Sequence, residues 1–226
     1  MNNYIEWLNQ SLNLLQNKCK KFDKHRSKTY TLNKILTENK LNVCLEFGVF
    51  NGVSINLISQ HCNQVYGFDS FEGLPEDWSG VCKKEHFKVS NLPKVNENVI
   101  LIKGWFKETL EDFLKENKNI EIDMIHIDCD LYSSTKDVFD ILVKYNKIQP
   151  GLIIIFDELI NYNKFYEGEI KALYELCNEH NINFEYLHTH GNVVSYKDIL
   201  KSKYQNMTFK QFRNEGYQQE VAIQIL

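Results

Sequence analysis

From residue 42 onward, short apolar runs rich in Val, Ile and Phe alternate with segments of helical spacing. The runs are Val43–Phe47, Gln64–Phe68, Val99–Ile102, Ile122–Ile127 and Leu152–Phe156, each followed by small or acidic residues and then a helix-like pattern. Nearly continuous apolar strands are those covered on both faces, and parallel neighbours need a crossover helix between them. The pattern therefore predicts βαβ units in a doubly wound, Rossmann-like α/β sheet. Asn183–Leu187 and Glu220–Leu226 predict two further strands, separated by a polar stretch, 197–217, too long for a hairpin. Before the first run, Ile5, Leu8, Leu12 and Leu15 predict an amphipathic helix over 4–21, and Thr31–Glu38 a second, shorter one. Residues 1–40 thus read as an N-terminal helical extension, a lid or a packing element, and residues 41–226 as one α/β domain.

Charge and composition narrow the partners. The net charge is −4, and only Arg26 and Arg213 are arginines. Nucleic-acid recognition favours a basic surplus and the forked contacts of Arg, so a nucleic-acid partner is not expected. The strongest apolar run, Leu152–Phe156, is far short of the roughly 20 residues of a membrane span. The opening Met-Asn-Asn-Tyr-Ile-Glu has neither the basic start nor the apolar stretch of a secretory signal. The six cysteines (19, 44, 62, 82, 129 and 177) form no C-x-x-C pair. A soluble, cytoplasmic protein with reduced thiols and no zinc site is expected.

In open α/β sheets, ligands bind beyond the carboxyl ends of the strands. The first strand ends in Glu46-Phe-Gly48-Val-Phe50-Asn-Gly52-Val-Ser54. The two glycines suit a tight turn approaching a ligand, but Phe50 stands where a dinucleotide loop carries its second glycine. Glu46 suits a ligand bearing an ammonium better than a pyrophosphate, and S-adenosylmethionine carries an ammonium and a sulfonium without phosphate. Asp69 follows Gly48 by 21 residues. That spacing fits a carboxylate on the ribose hydroxyls of an adenosine ligand, and equally a turn cap. Gly104-Trp105 follows the third strand, with Trp105 either stacking on adenine or entering the core.

The fourth strand runs into Asp128-Cys-Asp130 and the fifth into Asp157-Glu158. Neighbouring strand ends would bring these carboxylates together, where a cation or raised pKa values must offset their repulsion. An all-oxygen set favours Mg²⁺, Ca²⁺ or Mn²⁺. Against this stands a bland reading, with Asp130 capping a turn, one acid paired with a lysine, and Ser134-x-x-Asp137 acting as a capping box. His126, two residues before Asp128 in its strand, is expected to be structural. His188 and His190 are expected at the surface.

Together these segments resemble a known family. Residues 46–54 resemble the first motif of class I S-adenosylmethionine-dependent methyltransferases. Gly67-Phe-Asp-Ser70-Phe-Glu-Gly-Leu-Pro-Glu-Asp-Trp78 is narrower and resembles the macrocin- and mycinamicin-type sugar O-methyltransferases. His126–Thr135, Phe156–Glu158 and Gly168-Glu169 are similar to further segments of that pattern, over roughly residues 41–190. The resemblance implies a seven-stranded sheet whose last strand is antiparallel and inserted between strands five and six. It implies S-adenosylmethionine held by Glu46, Gly48 and Asp69, and a divalent cation, usually Mg²⁺, at Asp128, Asp157 and Glu158. Glu158 departs from the Asp-Asp pair familiar there, keeping the charge on a longer arm. Phe50, Gly52, Ser54, Ser70, Gly104, Trp105 and Asp128 complete the candidate cofactor set. The expected activity is O-methylation of a sugar or similar polyhydroxylated small molecule. The rivals are a nicotinamide-type oxidoreductase and a non-catalytic module of the same fold. Positions 1–40 and 197–217 match nothing in the family and are expected to hold acceptor or subunit contacts, so a homo-oligomer is one expectation.

Overall fold

The computed structural model describes residues 2–18, 28–78 and 81–226. Seven strands form one sheet: β1 (Leu41–Phe47), β2 (Cys62–Asp69), β3 (Val99–Lys103), β4 (Met124–Ile127), β5 (Ile153–Phe156), β6 (Phe184–Thr189) and β7 (Val221–Ile225). Their order is β3-β2-β1-β4-β5-β7-β6. The first five pair in parallel, and β7 runs antiparallel between β5 and β6. The sheet reverses direction of growth between β1 and β4, so the loops after those strands flank the switch point.

Side-chain alternation explains why both faces are covered. Leu45, Phe47, Ile154 and Phe156 enter one core cluster, while Cys44, Val65, Ile153 and Ile155 enter the other. The first cluster is covered by α1 (Asn2–Lys18), α4 (Phe106–Glu116), α5 (Tyr132–Lys144) and α6 (Glu169–His180). The second is covered by α2 (Tyr30–Glu38) and α3 (Val53–Ser59). The α1 stripe of Leu8, Leu12 and Leu15 is fully buried. The Tyr4 hydroxyl donates to the Tyr166 carbonyl at 2.6 Å, and Lys18 Nζ donates to the Tyr186 carbonyl. The expected first helix thus packs on the α6–β6 side, and its predicted last turn, together with Cys19 and Arg26, lies outside the described residues. No helix among the described residues is long and apolar enough to cross a membrane.

Two local expectations are corrected. Ser134 does not open a capping box, because α5 begins earlier, at Tyr132, with Leu131 as N-cap. A real capping box occurs in the stretch without family resemblance, where Thr208 and Gln211 bond reciprocally to start α9 (Phe209–Asn214). That stretch also contains the short helices α7 (Tyr196–Ile199) and α8 (Ser202–Gln205). His190 is not a surface residue, and His188 is half-buried. His190 is 2% exposed, and both rings pack against Tyr30.

Beyond the carboxyl ends of β1, β2, β4 and β5, the chain turns through a non-glycine residue in the left-handed region. These are Phe50 (φ 47°), Phe71 (57°), Asp130 (64°) and Asn161 (63°).

Candidate active site

Backbone register sets the site. Asp128 N donates to the Phe47 carbonyl at 2.9 Å and Asp157 N to the Ile127 carbonyl at 3.0 Å. These bonds extend the β1–β4–β5 ladder past the strands and bring the two acids side by side. Gly48 lies against Asp128 so closely that a Cβ there would stand 1.9 Å from the Asp128 carbonyl oxygen. With φ at +95°, this position requires glycine.

A cavity of about 850 Å³ opens over these strand ends. On one side it is walled by the first loop (Gly48, Val49, Phe50, Ser54) with Asp69, Ser70 and Trp105. On the other lie Lys28, Trp78, Phe209 and Arg213, and Asp128, Asp130, Asp157 and Glu158 stand between. Its volume suits a cofactor-sized ligand. Of the candidate cofactor set, Gly48, Phe50, Ser54, Asp69, Ser70, Trp105 and Asp128 line it. Glu46, Gly52 and Gly104 do not.

Asp69 latches the first loop. Its Oδ2 accepts from Val49 N and Phe50 N, both at 2.8 Å, and its Oδ1 accepts from Phe71 N at 2.6 Å. A carboxylate has about four acceptor positions, so capacity for another donor remains. Trp105 is 39% exposed at the start of α4, outside the core. Phe50 packs edge-on to Phe87 with ring centroids 5.4 Å apart.

Glu46 faces His126 across β1 and β4, and its Oε1 lies 2.8 Å from His126 Nδ1. Both side chains are buried, and His126 lines the cavity while Glu46 does not. Burial lowers the His126 pKa, but Glu46, followed by Asp128 and Asp157, raises it to about 9. These carboxylates favour the charged form of the imidazole, while burial pushes the Glu46 carboxyl up. The sequence expectation of a structural His126 agrees with this pairing.

One ligand atom from each of Asp128, Asp157 and Glu158 lies within 4.8 Å of the others. The donor set is all oxygen, and Glu158 Oε2 is buried with no hydrogen-bond partner among the described residues, as a hard-cation site would leave it. The three carboxylates therefore fit a divalent cation. Burial, followed by repulsion from Asp157, pushes Asp128 up to about 7. Burial, followed by repulsion from Asp157 and Asp128, pushes Glu158 well up. Asp157 is desolvated too, yet Glu158, Lys28 and His126 hold it below the usual carboxylate range.

The sign of the Asp128 shift gives a test. A group whose folded pKa is raised contributes its stability below its unfolded value, near 4, and loses it as pH rises through about 7. Asp128→Asn removes that loss. In chelator at pH 8 it is expected to gain about 1–2 kcal/mol, a rise in Tm of roughly 2–8 °C, with no gain at pH 4. A lower Tm at pH 8, measured by scanning calorimetry, would mean that Asp128 is satisfied as an anion.

Sequence reasoning missed three parts of this wall. Lys28 Nζ sits 2.5 Å from Asp157 Oδ2 and 3.6 Å from Glu158 Oε1. Arg213 lines the cavity, and its Nη1 donates to Gln219 Oε1 at 3.4 Å. Phe209 stacks on Tyr162 and tilts against Trp78. The available signal was that 1–40, which holds Lys28, and 197–217, which holds Phe209 and Arg213, match nothing in the family.

Residues 45–159 match the protein family described as "Methyltransferase domain". A comparison with curated proteins found no match. Among solved structures, the chain is similar to CalS11, a calicheamicin methyltransferase, with TM-score 0.57 and 21% identity over 80% of this chain and 88% of that one. The O-methyltransferase NovP matches with TM-score 0.52 and 16% identity over 98% of both chains. An O-methyltransferase from Bacillus cereus in complex with SAH matches with TM-score 0.53 and 17% identity, over 99% of this chain and 91% of that one. At these identities the likeness establishes a shared Rossmann-like fold, with its antiparallel last strand.

Proposed function

Because the chain belongs to the methyltransferase-domain family, we propose that it is a cytoplasmic, S-adenosylmethionine-dependent O-methyltransferase. Its acceptor is a hydroxyl of a sugar or similar polyhydroxylated small molecule, as in the macrocin- and mycinamicin-type enzymes it resembles. The observation that carries this reading is one cavity shared by a glycine-turn loop, an acid after β2 and three acids after β4 and β5. Residues 41–226 form the catalytic domain, and residues 1–40 form an extension that closes its acceptor side.

In this reading Asp69 accepts from the ribose with its remaining lone pair, Ser70 and Trp105 border the adenine, and the 48–50 backbone approaches the methionine portion. Asp128, Asp157 and Glu158 hold a divalent cation, most simply Mg²⁺. When bound, such a cation fixes acceptor oxygens and lowers a hydroxyl pKa. The chain's own residues orient the acceptor. Trp78 and Phe209 supply an apolar wall opposite the first loop. A fixed line from sulfonium to hydroxyl gives much of the rate of an in-line methyl transfer.

Titration calorimetry with S-adenosylhomocysteine and with NAD tests the cofactor. Binding of the first alone is expected, because Phe50 occupies the place of the second dinucleotide glycine. Binding of NAD alone would overturn the reading. With an acceptor in hand, EDTA is expected to suppress turnover at least 100-fold and Mg²⁺ to restore it. Full turnover in EDTA would remove the cation from the mechanism.

A further inference from the structure

Lys28 stands just before α2, and its ammonium is placed on the acids assigned above to the cation. Its Nζ lies 2.5 Å from Asp157 Oδ2 and 3.6 Å from Glu158 Oε1. The carboxylates are nearly buried, at 4% and 8% exposure, whereas the lysine side chain is 48% exposed and has solvent beside it. A divalent ion takes carboxylate oxygens at about 2.0–2.6 Å, and the ammonium already stands within that distance of Asp157 Oδ2 and on the Glu158 side of it. Two cations cannot share that space.

We infer that Lys28 is a built-in counter-cation for Asp157 and Glu158, which a divalent ion must displace to bind, so that this lysine sets the cation affinity of the site. The inference rests on the cation reading given under Proposed function. Displacement leaves the fold in place because the first turn of α2, two and three residues after Lys28, is pinned independently. Thr31 N donates to Glu220 Oε2 at 2.9 Å, and Thr31 Oγ1 lies 3.0 Å from His188 Nδ1 and 3.1 Å from His190 Nδ1. The Tyr30 ring packs on both imidazoles. The movement required is therefore a swing of the flexible four-carbon stem into solvent. Lys28 and Thr29 both line the cavity, so the swing rearranges the wall nearest the acids. Without a divalent ion, the ammonium balances two desolvated carboxylates that would otherwise repel. The exchange is of one cation for another, with no bond made or broken.

Mn²⁺ titrated calorimetrically into the whole chain in cation-free buffer tests this. Lys28→Met is expected to bind Mn²⁺ at least tenfold more tightly than the unaltered protein. Lys28→Arg, which keeps a competing charge, is expected to stay within threefold. Asp157→Asn is expected to lose binding in either background. Equal or weaker Mn²⁺ affinity in Lys28→Met overturns the inference while leaving the cation site intact. If neither the unaltered chain nor Lys28→Met binds Mn²⁺, the cation reading is overturned and this inference with it. Because the side chain is half-exposed and Thr31 holds the backbone, both Lys28 variants should fold, and circular dichroism verifies that they do.

Discussion

Gly48→Ala is expected to cost about 3–5 kcal/mol of stability, lower Tm by roughly 10 °C, and abolish measurable binding of S-adenosylhomocysteine. The new methyl would meet the Asp128 carbonyl oxygen at 1.9 Å and its carbon at 2.8 Å. Neither atom can yield cheaply, since Asp128 N is bonded to the Phe47 carbonyl and its neighbours belong to the buried β4. The left-handed backbone adds a second penalty for any side chain. Relief requires β1 and β4 to separate at their carboxyl ends, which moves the first loop and Asp128 together. An Ala variant with unchanged Tm would show that this junction is loose and does not set the shape of the site.

Asp69→Ala is expected to weaken S-adenosylhomocysteine binding at least 100-fold and to lower Tm by roughly 5 °C. Three backbone N–H groups lose a charged acceptor, each bond being worth about 1.5–3 kcal/mol. Water compensates part of that loss at exposed Phe50 but less at buried Val49. The loop after β1 and the turn after β2 are released from each other, so cofactor affinity falls through lost shape as well as a lost ribose contact. Asp69→Asn, which retains one acceptor oxygen, is expected to lie between the two. Unchanged affinity in the Ala variant, read by calorimetry, would remove Asp69 from the cofactor site.

The strands were legible because their signal is local. Val43–Phe47 and Leu152–Phe156 are apolar enough to demand cover on both faces, and the structure places strands there within a residue or two. The meeting of Asp128, Asp157 and Glu158 was legible for a related reason, since acids directly after adjacent parallel strands must converge. What escaped the sequence depends on register or on distant packing. Glu46 reads as a ligand residue on its own, and only the pairing of β1 with β4 reveals His126 as its partner, 80 residues away. Lys28 sits in a polar link with no periodicity, so nothing local aims it at acids some 130 residues later. Phe209 and Arg213 reach the cavity because the segment before β7 folds over the sheet, a tertiary outcome that leaves no motif. Ser134-x-x-Asp137 illustrates the converse error. A capping pattern competes with neighbouring choices, and here the buried Leu131 carbonyl, accepting from Thr135 Oγ1 and Thr135 N, had already begun the helix.

The left-handed residues at 50, 71, 130 and 161 carry a consequence for how this protein could be made hardier. Phe50 and Phe71 hold side chains where L-amino acids are disfavoured by about 1–2 kcal/mol, whereas Asp130 and Asn161 are of the types that tolerate this region best. Together the four form a left-handed rim along the carboxyl edge of the sheet, and two of them, Phe50 and Asp130, face the cavity itself. Glycine at those positions would relieve the strain, but it would also let the rim sample many shapes where it now holds one. Selection for heat resistance and selection for a fixed ligand outline therefore press on the same few residues in opposite directions. Thermal tolerance is more freely gained on the far edge of the sheet, where no cavity depends on the backbone.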